Sequence, residues 1–253
     1  MYAWISGGLS RASQLKAKSL GGKPEVIVKY ELVNLLDRYK DQAIVRGLVQ
    51  LIPLGLGSAI DTAVTIKFAT YQEQRLRAFF DELANGKVQL VPELVEQEDF
   101  LHAFSATTRA VVRTRREQKI KILARLLGGA WTEAGPESID EYEELLGIID
   151  ELSFREMRIL SLLSKHEKQA VFGELDNDLQ RANKVWPPFE EEVETLLGIP
   201  PVALAPILVR LQRSGCYAEL TGGYWDYMGG RGHLTHLFRR LKTVVGGLEE
   251  LAT

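Results

Sequence analysis

One cysteine, Cys216, stands in a chain of 253 residues, which excludes an intramolecular disulfide and a thiolate metal cage. Charge of one sign is not in excess either. With 31 basic and 34 acidic side chains the formal net charge is −3, so no global cationic field draws in nucleic acid. An uninterrupted apolar run of spanning length is missing as well. The nearest approach, residues 47–66 (GLVQLIPLGLGSAIDTAVTI), is broken by Pro53, loosened by Gly55 and Gly57, and carries Asp61. One aspartate near the centre of a spanning helix costs about 2.5–3.5 kcal/mol, which cancels about six apolar residues. The first 23 residues hold no apolar core of signal-peptide length. A reducing, cytoplasmic setting is the expectation.

What is present is ordinary globular chemistry: 45% apolar and 26% charged residues, enough to bury one large core or two smaller ones. The patterning predicts a mainly α chain, an N-terminal helical bundle followed by a C-terminal winged-helix-like unit with a small β-hairpin. Residues 1–23 read as a mobile basic arm carrying Arg11, Lys16, Lys18 and Lys23. The bundle takes residues 24–134, with helices over 24–39 and 41–52, a long one capped by Ser58 and ended by Asn85-Gly86, and another over 93–113. Three S/T-x-x-E patterns predict capping boxes, at Thr114/Glu117, Ser138/Glu141 and Ser153/Glu156. Gly128-Gly129 and Gly135-Pro136 bracket the expected hinge.

Residues 135–253 read as a helical linker and the winged-helix-like unit. After Gln169 the chain is polar, and Pro187-Pro188 predicts a helix stop. A helix over 200–214 follows, then strands over 216–220 and 224–228, a glycine-rich loop at 229–232, and a last helix capped by Thr235.

Few residues carry chemistry. Leu48, Leu51, Ile52, Pro53, Gly55, Gly57 and Asp61 form an apolar elbow between two helices, read as core. Its second use is a conditional membrane-interacting hairpin, with Asp61 near the interface. Gly55-Leu56-Gly57-Ser58 lacks the lysine that a phosphate loop requires. Arg109, Arg113, Arg115, Arg116, Lys119 and Arg125 are a basic cluster suited to an anionic partner, although helical spacing spreads them round their helices. His233 and His236 are two imidazoles without the third ligand that zinc needs. No catalytic, cofactor-binding or metal-ligating residue is assigned, and no small-molecule substrate is expected. A recognition helix for DNA presents polar side chains to base edges, whereas this one begins Pro200-Pro201-Val202-Ala203-Leu204-Ala205. Duplex binding is therefore the alternative, through Arg210, Arg213 and Arg231.

Two stretches together resemble a family. Residues 117–131 (EQKIKILARLLGGAW) and, after a gap, residues 148–163 (IIDELSFREMRILSLL) are similar to the paired helices of bacterial abortive-infection alpha (Abi-alpha) proteins, which carry Ala-Asn where this chain has Gly128-Gly129. The resemblance implies a cytoplasmic bacterial protein linked to phage defence or stress, working without catalysis. Its partners would be proteins, either a second copy or a defence component, and its contact with a membrane surface would be peripheral and follow activation.

Overall fold

A computed structural model describes residues 62–86, 92–221 and 230–252. The expected arm at 1–23, the helices over 24–39 and 41–52, the elbow from Leu48 to Asp61, the Ser58 cap and the strand over 224–228 lie outside the described residues. The described chain is mainly helical with one small antiparallel sheet of two strands. Contacts divide it into two units, Met1–Gly128 and Gly129–Thr253.

In the first unit, α1 (Thr62–Asn85) sets Leu76, Phe79, Phe80 and Leu83 on one buried stripe, the i, i+3, i+4, i+7 spacing of an amphipathic helix. α2 (Pro92–Val95) and α3 (Glu98–Arg113) replace the single helix expected over 93–113. The break at Gln97 has a geometric cause. Leu94 and Phe100 are both buried, and six residues of continuous helix would set them about 120° apart. Phe79, Phe80, Phe100 and Phe104 then form a chain of ring contacts at 5.4–6.3 Å between centroids. α4 (Glu117–Gly129) adds Ile120, Leu123, Leu126 and Leu127. Thr114 opens no capping box. Its hydroxyl donates to the Ala110 carbonyl, so it serves the end of α3 instead of the start of α4.

The second unit is built on α5 (Ile139–Glu151) and α6 (Phe154–Gln169). The Ser153/Glu156 box is complete, each side chain bonded to the other's backbone N–H at 3.2 and 2.8 Å. Ser138 caps α5 by accepting from the Glu141 N–H, but the Glu141 carboxylate accepts from the Glu137 N–H, leaving half a box. Within α6, Ile159 to Ser164 are all buried, so the helix is covered on every side. A terminal 3-10 helix (Leu248–Ala252) docks on it, where the Leu248 carbonyl accepts from Ser161 and the Leu251 carbonyl from Arg158.

α7 (Asp178–Leu197) overturns the expected stop at Pro187-Pro188, which sit inside it. An Asn177/Gln180 capping box starts it, and Ala182, Val185, Trp186, Phe189 and Val193 are buried at helical spacing. Interior prolines cost about 3 kcal/mol each. Full burial of the four larger side chains contributes about 6–12 kcal/mol. Both prolines are exposed, so the carbonyls they cannot serve are open to water. Gly198, at φ 64°, ends the helix, and the axis bends by 100° into α8 (Pro201–Arg213).

β1 (Tyr217–Glu219) pairs with β2 (Gly232–Leu234) in the register Tyr217↔Leu234, Ala218↔His233, Glu219↔Gly232. The second strand thus includes Gly232, which was expected in the loop at 229–232. Any side chain at Gly232 would meet the Ala218 carbonyl and the Tyr217 ring, and the Gly232 carbonyl accepts from Trp186 Nε1 at 2.9 Å. α9 (His236–Val245) starts at Thr235, whose hydroxyl accepts from the Phe238 N–H as expected. Its end lies against Gly129, where a Cβ would collide with the Val244 carbonyl.

Trp186 joins three elements: the rings of Phe189 and Tyr217 lie 5.2 and 6.2 Å away, and its indole holds β2. Trp186→Ala should lower unfolding free energy by about 3–5 kcal/mol in urea titration. Trp186→Phe should lose less, because it keeps most of the packing and abandons only the Gly232 carbonyl. A loss below 1 kcal/mol for the alanine variant would contradict this account.

Candidate functional site

Ion pairs engage Arg125 of the expected anionic-partner patch and Lys121 beside it. Arg125 Nε is 2.6 Å from Glu82 of α1 and is half-buried. Lys121 pairs with Glu117 at 3.1 Å, one turn away. Arg109 and Arg113 share an exposed face of α3, where Arg109 also reaches the Ser105 hydroxyl at 3.3 Å. Arg115 and Arg116 occupy the turn before α4, and Lys119 lies half-buried in its first turn. Arg115 borders a hollow of about 490 Å³ with Tyr71, Gln74, Arg75 and Ala78. Arg75 itself donates to the Val112 carbonyl and so fastens α1 to α3.

The three arginines of the DNA alternative have different fates. Arg210 Nε is 3.1 Å from Glu156, whose side chain is only 4% exposed. Glu156 also completes the α6 capping box, so the guanidinium answers a buried carboxylate. Arg231 donates to Asn183 on α7. Arg213 is exposed at the end of α8. Over residues 201–209 the outer face of α8 is apolar. Leu204, Leu208 and Leu211 point inward, while Val202 is 83% and Val209 55% exposed, with Ala205 and Pro206 exposed between them. Leu196, just before the bend, is 42% exposed.

The second unit also holds a feature with no counterpart in the sequence reading. A cleft of about 890 Å³ opens between the end of α6, the start of α7, β2 and α9. Its cations are Lys168, Arg181, Arg239 and Lys242, and its apolar wall includes Phe172, Val185 and Leu234. Glu249 Oε1 is 3.0 Å from both the Lys168 and the Lys242 Nζ, and Lys242 also donates to the Ser164 hydroxyl at 2.7 Å. Burial pushes the Glu249 carboxyl up, but Lys168, its own backbone N–H and Lys242 outweigh burial and hold it at about 2. Asp178 is another acid of the lining, and a third, Glu167, accepts from the Leu234 N–H at 2.8 Å and from Arg239 at 3.4 Å. Arg181 lies over the Phe172 ring, 5.7 Å from its centroid.

Two acids outside the cleft are paired as well. Glu192 receives Lys165 at 2.5 Å and His166 Nε2 at 2.6 Å. Burial raises its carboxyl, and these two neighbours bring it below the usual range. Glu141 pairs with Arg240 at 2.6 Å, and Arg240 also donates to the Ala134 and Gly135 carbonyls, clipping the loop before α5 to α9. Burial pushes the Cys216 thiol up, away from the thiolate a nucleophile needs. Among the described residues no cluster of three or more histidine, cysteine or acidic side chains could hold a metal ion.

No family model, no curated protein and no solved structure matches this chain. Among the described residues no single helix is long and apolar enough to cross a membrane. Only α7 and α8 together reach that composition, and Trp186, Phe189, Val193, Leu204, Leu208 and Leu211, which supply much of it, are buried.

The sequence hid the cleft because its charged residues come from segments up to about eighty positions apart. Lys168, Lys242 and Glu249 follow no motif, and only the fold unites them.

A pH prediction follows from Glu249. Its folded carboxyl sits at about 2 against an ordinary 4.5, so the stabilisation is present above about pH 4.5 and is lost as pH falls through 2. The side chain is 49% exposed, and screening holds the contribution below about 1 kcal/mol. Glu249→Gln should therefore melt below the parent at pH 7, with the gap shrinking between pH 4.5 and 2. A gap independent of pH across that range would refute the pairing.

Proposed function

We propose that this protein acts without catalysis, as a contact protein, in the phage-defence or stress setting that its resemblance to abortive-infection alpha proteins implies. The observation that carries the reading is the outer face of α8. In a winged-helix-like arrangement, which the order α7, α8, β1, β2, α9 suggests, this helix would be the one offered to a partner. Val202, Ala205, Pro206 and Val209 lie on its exposed side at i, i+3, i+4 and i+7. Such a stripe offers dispersion and desolvation to another apolar surface and no donor to a base edge. The bend at Gly198 sets Leu196 at its margin.

The duplex-binding alternative draws less support from the same helix. Arg210 is engaged by Glu156, and Arg231 by Asn183, so two of its three phosphate contacts would have to leave existing partners. The membrane-hairpin reading rests on the elbow from Leu48 to Asp61 and the basic arm at 1–23, both outside the described residues, and its bearing on localisation rests there too.

The test replaces the stripe and leaves the core intact. Val202→Asp with Val209→Asp should fold with an unchanged urea midpoint, since both side chains face solvent. Light scattering should show that any self-association of the parent is lost, and affinity capture from the host should show the same for a second protein. A complex that survives the double substitution would remove α8 as the contact surface. Salt-sensitive duplex binding in the parent that drops on Arg213→Ala would favour the alternative instead.

A further inference from the structure

The cleft of the second unit is independent of the α8 face, and two of its lysines meet at one carboxylate. Two ammonium groups share one carboxylate oxygen, Lys168 and Lys242 each standing 3.0 Å from Glu249 Oε1. The other polar neighbour of Lys242, the Ser164 hydroxyl, carries no charge to offset the second cation. Lys242 is also sheltered, with a side chain 14% exposed. A sheltered cation without a full counter-charge is costly, and a bound anion removes that cost.

Burial pulls the Lys242 ammonium below the ordinary lysine range. Glu249 draws it back up, while Lys168 lowers it further. The same carboxylate raises the exposed Lys168, so the shortfall falls on the sheltered Lys242.

Around this point the walls supply the rest of a ligand site. Arg239 is 58% exposed on the same cleft, held loosely by Glu167 at 3.4 Å. Arg181 and the half-open Phe172 ring make a flat surface of guanidinium over aromatic carbon. Val185, Leu220 and Leu234 complete an apolar side. The room, about 890 Å³, lies within the ~300–1,000 Å³ typical of small-molecule sites.

We propose that this cleft binds a small phosphate ester carrying a flat ring, of the nucleoside monophosphate type. The phosphate lies between Lys168, Lys242 and Arg239, and the ring lies against Phe172. A phosphate fits this set better than a carboxylate, because its three oxygens can accept from all three cations together. The ring supplies affinity by stacking, which tolerates any base, so the site reads the class of ligand and not the base.

Calorimetric titration of the full chain at low ionic strength tests this with three probes: adenosine monophosphate, inorganic phosphate and adenosine. The ester should bind more tightly than either half, and phosphate should compete with it. Lys242→Met should weaken the ester by roughly tenfold or more, the loss expected for a hydrogen bond to a charged group. Lys168→Gln removes the more exposed cation, so it reads the same contact if Lys242→Met disturbs packing. Phe172→Ala should bring the ester's affinity down to that of inorganic phosphate while leaving phosphate itself unchanged. Adenosine binding as tightly as its monophosphate, or full ester affinity in both lysine variants, would overturn the proposal. Unchanged ester affinity in Phe172→Ala would overturn the placement of the ring.

Discussion

Helix α6 has no solvent face over Ile159 to Ser164, and the second unit is arranged to satisfy it. A helix covered on all sides must find both apolar surface and hydrogen-bond partners around its whole circumference. The terminal 3-10 helix supplies carbonyls to Ser161 and Arg158, α7 supplies Phe189 against His166, and β2 receives Glu167 through the Leu234 N–H. The polar end of the same helix, where burial gives way to exposure after Lys165, is where the cleft opens. Core and cleft are therefore one constraint seen at two ends: α6 is buried where it is apolar and becomes a wall of Lys168 and Glu167 where it is not.

Among the described residues several ion pairs hold elements together. Arg125 joins α4 to α1, Arg210 joins α8 to the start of α6, and Arg240 joins α9 to the loop before α5. Each pair crosses between elements far apart in sequence. Glu156 is the extreme case. Buried, it accepts from a backbone N–H and from Arg210, and removing the arginine would leave an ionised carboxylate with part of its solvation gone. Such an arginine is a poor donor to an outside phosphate. The cleft differs because its lysines outnumber the carboxylate that serves them.

Local signals were legible wherever the local chain alone decides the outcome. Ser153/Glu156 and Thr235 cap helices because a hydroxyl at that spacing has no better use. Thr114 had one, the carbonyl of Ala110 a turn behind it, and the same four-residue pattern gave no box. Pro187-Pro188 misled in the opposite sense. The rule that proline ends a helix is local, and it lost to the burial of Trp186 and Phe189 on the far side of α7. The Asn177/Gln180 box, which announces that helix, was readable in the sequence and was masked by the polar composition around it. Gly232 read as loop because nothing near it in sequence tells that Tyr217 and Trp186 will occupy the space a side chain would need.

The composition of α8 bears on its use. Pro206 sits inside the helix and has no N–H to give to the Val202 carbonyl, one turn back on the exposed face. The helix thus forgoes a hydrogen bond, at a cost of about 3 kcal/mol for an interior proline, in return for no burial, since Pro206 is exposed. An alanine there would give a more stable helix and cover the same inner face through Leu204, Leu208 and Leu211. Fold stability alone does not account for the proline. On the proposed contact reading, the exposed ring of Pro206, flanked by Val202 and Val209, widens the apolar stripe that a partner would meet.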